Sequence, residues 1–352
     1  MVIVRAPVRI SFGGGGTDLA AYYASYGGFV VSAAITRYCY VVASPSPDGS
    51  YRINSSDYHV WETFGPGTEV VVQEPLILPK AAIASFMERG LDATGVDLFL
   101  ASEVPPGTGL GSSSAMAVAL VRALAAHLGQ SLSPQEVAEQ ASAIEIERLG
   151  MPIGKQDQYA SAFGGLNMIE FSNSGVVVRP LPVSPEVARQ LSARLLLFAT
   201  GQSRDSASIL QQQREDSQAK PVVIETLHRL KKLASEMCGV LLHEDLDGFG
   251  RLLDLGWQEK RRLSGKISST AIDVWYEAAC QAGALGGKIT GAGGGGFLLL
   301  YCPPERQAAL RQAMANFGLR EMPFDFDYTG AQVLDAGIQG LSHPPEGDND
   351  NA

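Results

Sequence analysis

The stretch from Pro105 to Leu120, PPGTGLGSSSAMAVAL, joins a loop of glycines and hydroxyl residues directly to a helix of small apolar residues. Glycines at every second position let a backbone turn tightly and bring its N–H groups close to a ligand. The serines that follow stand where the helix begins, at the positive end of its dipole. The pattern predicts a cradle for a phosphate group, and a plain Gly/Ser connector between strand and helix is the equal alternative on composition alone.

Two better-known phosphate motifs do not describe this chain. No GxxxxGK[ST] pattern occurs in the sequence, so the loop is not a Walker A loop. One GxGxxG match spans Gly291 to Gly296, but the run FLLLYC after it is typical of a strand. A dinucleotide-binding motif needs a helix there, so this match does not predict a dinucleotide site.

The composition restricts the class of partner. The chain has 352 residues, 45% of them hydrophobic and 18% charged, which is typical of a soluble protein of about two domains. A formal charge of −10 provides no basic surface for nucleic acid or for an anionic membrane, so we expect small-molecule partners. The sequence does not fix the oligomeric state, and a homo-oligomer is compatible with it.

The four cysteines lie far apart, without the spacing of a zinc site or a disulfide framework. This usage is typical of a reducing, cytoplasmic setting. The first residues, MVIVRAPVRIS, contain arginines within a short apolar run and do not resemble a signal peptide or a membrane span.

Further motifs lie on both sides of the phosphate loop. Val4 to Ile10 alternates apolar and other residues, which predicts a strand with one buried face and Arg9 on the other. The strand runs into GGGGTD, a second glycine loop. The capping box at 133–136 predicts a helix that reaches Leu149, and a loop with Lys155 and Asp157 follows. KITGAGGGG, near the C-terminus, is a third glycine loop.

Together these motifs resemble the GHMP kinases, the superfamily of galactokinase, homoserine kinase and mevalonate kinase. PPGTGLGSSSA resembles the central ATP-phosphate loop of that family, KITGAGGGG its C-terminal motif, and RAPVRISFGGGGTD its N-terminal motif. RISFGGGGTDL, GKQDQYASAFGG and TGQSR resemble the D-glycero-D-manno-heptose 7-phosphate kinase branch. Galactokinases usually carry Gly-Glu-His where this chain has glycines 14–16, and this departure argues against a galactokinase.

The resemblance implies an α+β fold of two domains with the active site between them. Residues 1–183 would form the N-terminal ATP-binding domain, with a left-handed βαβ crossover. Residues 184–341 would form a ferredoxin-like C-terminal domain, and residues 342–352, rich in Pro, Asp, Asn and Gly, are expected to be disordered.

The implied reaction is ATP-dependent phosphorylation of the anomeric hydroxyl of a sugar phosphate, with Mg²⁺ as cofactor. The resemblance assigns Asp157 as the catalytic base, with Arg9 and Lys155 as cations beside it, and Ser113 and Glu145 to magnesium. A turn or cap residue is the alternative for Asp157, and a solvated helix carboxylate, the natural role of Glu147, is the alternative for Glu145. The ATP-binding residues would be Pro106, Gly107, Thr108, Gly109, Leu110, Gly111, Ser112, Ser113 and Ser114.

The substrate-binding assignments are less constrained by the pattern. Asp18 is expected to accept hydrogen bonds from sugar hydroxyls, or else to cap the helix that follows. Arg204 and Lys288 are candidates for the phosphate of the sugar, or ordinary surface charges. The residues implied to bind substrate are Gly15, Gly16, Thr17, Asp18, Arg204, Lys288, Gly293 and Gly294.

Two alternative functions remain open at this point. One is an L-fucose or galactose 1-kinase of the same fold, which would need an apolar pocket where a sugar phosphate needs basic residues. The other is a non-catalytic sugar or nucleotide sensor. The presence of Asp157, Ser113 and Glu145 together argues against lost catalysis.

Overall fold

The computed structural model describes residues 1–91, 95–202 and 221–334, and it begins with a long antiparallel pair of strands. β1 (Val2–Gly13) and β2 (Gly28–Ser44) pair along most of their length. Every residue of β1 from Ala6 onward is buried, including Arg9. The prediction of a single buried face is therefore wrong for this part of the strand. The reason is that helices from both halves of the chain contact β1, and Arg9 is covered by Asp157 and by the loop at Gly109.

A sheet of eight strands is built on this pair. The other six strands are β3 (Tyr51–Ser55), β4 (Val60–Phe64), β5 (Val96–Ser102), β6 (Leu166–Ser172), β7 (Gly175–Pro180) and β12 (Gln332–Leu334). The order of the sheet is β12-β1-β2-β5-β3-β4, with β6 paired to β2 and β7 paired to β6. All neighbours are antiparallel except β3 and β5, which are parallel.

The helices of the first half of the chain come between strands of this sheet along the sequence. The capping box at Ser133 is present, with Glu136 bonded back to the Ser133 amide. The helix that begins there is regular only to Ser142, and a π-helix, Ala143–Arg148, replaces its predicted last turns. The helices are α1 (Ala20–Tyr26), α2 (Ile77–Met87), α3 (Ser112–His127), α4 (Pro134–Ser142) and α5 (Gln156–Phe163).

The second half forms a separate antiparallel sheet of four strands. These strands are β8 (Leu195–Ala199), β9 (Gly286–Ile289), β10 (Phe297–Tyr301) and β11 (Arg320–Glu321). Their order in the sheet is β11-β8-β10-β9. Its helices are α6 (Pro185–Arg194), α7 (Pro221–Leu242), α8 (Leu246–Arg261), α9 (Thr270–Gln281) and α10 (Gln307–Asn316), with a 3₁₀ turn at Pro304–Arg306.

The two halves share a core and are joined again at the end of the described chain. Val8 and Ile10 of β1 belong to the same apolar cluster as Leu197 and Leu299 of the second sheet. β12 then returns to pair with β1. The domain boundary at residues 183 and 184 stays a prediction, and Arg204 and the predicted tail at 342–352 lie outside the described residues.

Within the described ranges, no helix combines the length and the apolar character that a membrane crossing requires.

Candidate active site

The predicted phosphate loop adopts a conformation that only glycine takes readily. Gly107, Gly109 and Gly111 have φ values of 75°, 78° and 75°, and Gly111 directly precedes α3. The free N–H groups at the start of α3 therefore follow a loop without side chains at three positions. This geometry provides the donors that an anion at the helix start requires.

The third glycine loop packs directly on the phosphate loop. A β-carbon at Gly109 would lie 2.5 Å from the carbonyl oxygen of Thr290, and one at Gly291 would lie 2.5 Å from the Cα of Gly109. The Thr290 hydroxyl donates to the Thr108 carbonyl at 3.0 Å. The two halves of the chain therefore meet at the phosphate loop. Side chains at Gly109 and Gly291 would prevent this close contact between the two backbones.

Arg9 and Asp157 form the central ion pair of the site. Arg9 Nε and Nη2 donate to the two carboxylate oxygens of Asp157 at 2.7 Å and 2.6 Å, and Nη1 donates to the Gly109 carbonyl at 2.7 Å. The Arg9 side chain is only 5% exposed, whereas that of Asp157 is 22% exposed. Asp157 therefore keeps an open side beside the phosphate loop.

Asp18 lies in the same cleft as Asp157. Its carboxylate accepts from the amides of Gly16, at 2.9 Å, and Gln156, at 3.3 Å. α1 has Leu19 as its N-cap and no side-chain cap, so Asp18 does not have the capping role that was its alternative. Burial, and then the negative charge of Asp157, raise the pKa of Asp18 above its usual value. A β-carbon at Gly154 would lie 1.9 Å from Asp18 Oδ2, so the carboxylate occupies space that only glycine leaves free.

Ser113 and Glu145 form a second polar group on the other side of the loop. The Ser113 hydroxyl donates to Glu145 Oε1 at 2.9 Å, and Gln158 Nε2 donates to Oε2 at 2.6 Å. Glu145 is fully buried in the π-helix, whereas Glu147 is exposed, as the difference in helix face predicts. Burial, the largest effect, raises the pKa of Glu145 to about 7.

Two lysines complete the cleft. Lys288 is 6% exposed and donates to the carbonyls of Ser11, at 2.7 Å, and Phe12, at 3.4 Å. Lys260, on α8, is 8% exposed and bonds to the carbonyl of Gly291. Sequence reasoning missed Lys260. Its signal was a lysine in the buried stripe of an amphipathic helix, after Leu246, Phe249, Leu253 and Trp257.

Some predicted site residues do not face the cleft. Thr17 is fully buried, and its hydroxyl donates to the carbonyls of Gly14 and Phe29, so it holds the glycine loop. Lys155 donates its amide to the Asp18 carbonyl at 3.4 Å, and its side chain is not part of the cleft lining. Gly293 and Gly294 lie beyond the lining residues Gly291 and Ala292, and the Gly294 amide bonds to the carbonyl of Ile267.

A second, mainly apolar cavity of about 310 Å³ opens beside the phosphate loop. It includes Pro106, Ser112 and Ser113 of the loop and the side chains of Leu100 and Met116. Its position beside the start of α3 makes it the natural continuation of a site for a phosphorylated ligand with a flat apolar group.

Comparison with known proteins identifies the family. The model of the GHMP kinases N-terminal domain matches residues 78–165, and that of the GHMP kinases C-terminal domain matches residues 230–319. A D-glycero-α-D-manno-heptose 7-phosphate kinase of Campylobacter jejuni is 31% identical over 335 residues, which are 93% of this chain and 97% of the relative. The chain belongs to the GHMP kinase family. The predicted two-domain α+β fold of this family is thereby confirmed.

Two further comparisons agree with this family. A crystal structure of a D-glycero-D-manno-heptose 1-phosphate kinase from Bacteroides thetaiotaomicron superimposes with a TM-score of 0.80 at 29% identity, covering 95% of this chain and 99% of that one. A bifunctional fucokinase/GDP-fucose pyrophosphorylase of Arabidopsis thaliana is 29% identical over 88% of this chain and 31% of its own length. This GHMP kinase is an ATP-dependent sugar kinase.

Proposed function

We propose that this GHMP kinase transfers the γ-phosphoryl group of ATP to the anomeric hydroxyl of D-glycero-D-manno-heptose 7-phosphate, giving the 1,7-bisphosphate. The observation that carries the proposal is the Arg9–Asp157 pair, which connects a cleft containing Asp18 to the phosphate loop at Gly109. The choice of sugar is supported by the Campylobacter jejuni relative and by the two lysines in the cleft.

Asp157 is the proposed proton acceptor. The anomeric oxygen forms a bond to the γ-phosphorus while the bond from that phosphorus to the bridging oxygen breaks, and the hydroxyl proton passes to the Asp157 carboxylate. In a loose transition state this proton leaves late, so a carboxylate that orients the hydroxyl is sufficient. The Arg9 fork fixes the carboxylate plane, and its third donor holds the phosphate loop at Gly109.

Asp18 is proposed to position the sugar. Two backbone amides hold its carboxylate in place, and each oxygen retains a further acceptor site for a sugar hydroxyl. Its raised pKa comes from burial and from Asp157, and a ligand that donates hydrogen bonds would relieve part of that burial penalty.

Ser113 and Glu145 fit a magnesium ion. Glu145 is fully buried, and neutral side chains, among them those of Ser113 and Gln158, donate to its carboxylate. A buried carboxylate next to hydroxyls is the kind of donor set that a hard cation prefers, because Mg²⁺ takes one or two protein oxygens and completes its shell with phosphate and water. When bound, the ion would neutralise charge on the phosphate oxygens of ATP. We place the adenine in the apolar cavity beside Ser112 and Met116.

Turnover with a panel of sugars tests the proposal. ADP release is measured with the full chain, ATP and Mg²⁺, using heptose 7-phosphate, heptose 1-phosphate, L-fucose and galactose, and the new phosphate is located by ³¹P NMR. We expect turnover mainly with the 7-phosphate and a product phosphorylated at C1. Turnover restricted to heptose 1-phosphate or to the unphosphorylated sugars would overturn the proposed substrate. An Asp157→Ala preparation controls for contaminating kinases.

A further inference from the structure

Lys260 and Lys288 are buried lysines without a partner carboxylate. Their amino groups bond to backbone carbonyls, and within the described residues neither forms an ion pair with a carboxylate. Burial is the main cause that lowers the pKa of both lysines, that of Lys260 to about 8. An uncompensated buried charge is unfavourable, and an anionic ligand would supply the missing countercharge.

The other charged groups of the cleft do not supply a countercharge for Lys260 and Lys288. Arg9 is already paired with Asp157 through two hydrogen bonds. Asp18 and Asp157 act on Lys260 only at longer range, and Arg9 opposes them. The two lysines therefore form the part of the cleft that most favours a negatively charged group.

Gly15 lies at the border of two neighbouring spaces that share both lysines. One is the cleft that contains Asp18 and Asp157. The other is a small recess, here called the Gly15 recess, that is lined by Gly13, Gly14, Leu230, Leu233 and Met237 in addition to the shared residues. Gly15 is also one of the positions at which galactokinases usually carry a different residue. Gly15, Lys260 and Lys288 therefore line both spaces.

The walls beside Gly15 carry unused polar atoms. A β-carbon at Gly15 would lie 3.6 Å from Ser11 Oγ and 3.8 Å from Gln156 Nε2. Ser11 Oγ and Gln156 Oε1 are buried and have no hydrogen-bond partner in the described structure. Buried polar atoms are rarely left unpaired, so these two atoms indicate a ligand with hydroxyl groups next to the anion.

We propose that Lys260 and Lys288 bind the phosphate group carried by the sugar substrate, and that Ser11 and Gln156 bind hydroxyls next to it. Gly15 is the residue that keeps this subsite open. The proposal rests on the proposed function, because it assumes a sugar phosphate as the substrate. It assigns the recognition of that phosphate to residues that lie more than 240 positions from the N-terminal glycine loop.

Equilibrium binding tests the subsite independently of turnover. Calorimetry without ATP compares D-glycero-D-manno-heptose 7-phosphate with the phosphate-free heptose. We expect wild type to prefer the phosphorylated sugar, and Lys260→Gln and Lys288→Gln each to reduce that preference about 10- to 100-fold, as loss of a charged hydrogen bond predicts. Lys231→Gln is the matched control, since Lys231 also donates to backbone carbonyls, those of Tyr26 and Gly27, outside the cleft.

Gly15 provides a second test that leaves both lysines in place. The backbone at Gly15 is outside the left-handed region, so it accepts a side chain. Gly15→Glu should abolish the preference for the phosphorylated sugar, because its carboxylate would occupy the lysines. Gly15→Gln, which has the same size and no charge, should retain more of the preference.

The outcomes separate the two proposals. Wild type that binds both sugars equally, or lysine variants that keep the full preference, would overturn the subsite. Equal preference in Gly15→Glu and Gly15→Gln would also contradict a site for an anion. A wild-type enzyme that binds the sugar phosphate through the lysines but phosphorylates only other sugars would overturn the proposed function and support the subsite.

Discussion

Arg9 and Asp157 are 148 positions apart in the chain and are joined by two parallel hydrogen bonds, at 2.7 Å and 2.6 Å. The same guanidinium reaches the carbonyl of Gly109 in the phosphate loop. One side chain therefore sets the position of the proposed base relative to the proposed site of the γ-phosphate. Changes at either end of this connection have distinguishable consequences.

Replacing Asp157 by alanine should remove phosphoryl transfer and leave nucleotide binding intact. The carboxylate is the proposed acceptor of the hydroxyl proton, and such a group contributes about 10²- to 10⁴-fold to the rate. We expect kcat to fall by that factor, while the Kd for ATP, measured by calorimetry, changes less than about threefold. Near-native turnover by a folded Asp157→Ala variant would remove Asp157 from the mechanism.

Arg9→Lys should show whether the shape of the guanidinium matters beyond its charge. Lysine retains the charge but is unable to hold both oxygens of Asp157 and the Gly109 carbonyl together. We expect kcat to fall at least tenfold and ATP to bind more weakly. The control is Arg179→Lys, in an exposed pair with Glu170, which should behave as wild type. Unchanged steady-state kinetics in Arg9→Lys would contradict the connecting role.

Glu145→Gln should weaken magnesium binding at the site without destabilising the protein. The carboxylate is fully buried and its pKa is raised to about 7, so at a pH of about 8 its ionised form opposes folding. Glutamine keeps the size and removes the charge. We expect a melting temperature in metal-free buffer that is equal or higher by about 2 °C, and a Mg²⁺ concentration for half-maximal activity that is at least tenfold higher. An unchanged Mg²⁺ dependence would argue against Glu145 as a ligand.

Gly154→Ala should impair sugar binding through Asp18. Its β-carbon would lie 1.9 Å from Asp18 Oδ2, so the carboxylate must move. We expect the KM for the sugar to rise about tenfold or more, with the KM for ATP nearly unchanged, because misplacing a positioning group by about 1 Å has effects of this order. Gly239→Ala is the control, since a β-carbon there meets nothing within 4 Å. Equal KM values for the sugar in the two variants would show that Asp18 does not contact it.

The sequence was sufficient to predict the parts of the site that lie within contiguous motifs. The glycine loop before α3, the segment that contains Asp157 and the carboxylate at Asp18 each belong to a short motif, and all three line or border the cleft. Asp157 itself lies in the first turn of α5, so the loop predicted for it is wrong. Glu145 was separable from Glu147 because residues two apart do not share a helix face. The π-helix that buries Glu145 was not predicted, since the pattern of the capping box continues without interruption.

What depends on long-range packing was missed. Lys260 reaches the cleft only because α8 packs next to the strand that carries Lys288. Arg9 is buried against Asp157 and the Gly109 carbonyl, which lie 148 and 100 positions away in the chain, on a face of β1 that the alternation had left open. Local patterns do not contain these contacts, which join residues far apart in the chain.

The last prediction concerns the pH dependence of sugar-phosphate binding. Burial and Arg9 lower the pKa of Lys260 to about 8, while Asp18 and Asp157 oppose that shift. A bound phosphate favours the charged lysine, so the complex holds more protons than the free protein at alkaline pH. Binding must then weaken as pH rises above about 8, by at most about tenfold per pH unit for each proton taken up.

Calorimetry with heptose 7-phosphate from about pH 7 to about pH 10 measures this dependence, and buffers of different ionisation enthalpy report the proton uptake directly. Lys260→Gln should reduce the slope by the proton that Lys260 takes up, and Lys288, whose pKa is also lowered by burial, accounts for the dependence that remains. Lys231→Gln should retain the wild-type curve, since its lysine lies outside the cleft. A wild-type Kd that is constant across this range would show that Lys260 does not face the bound anion.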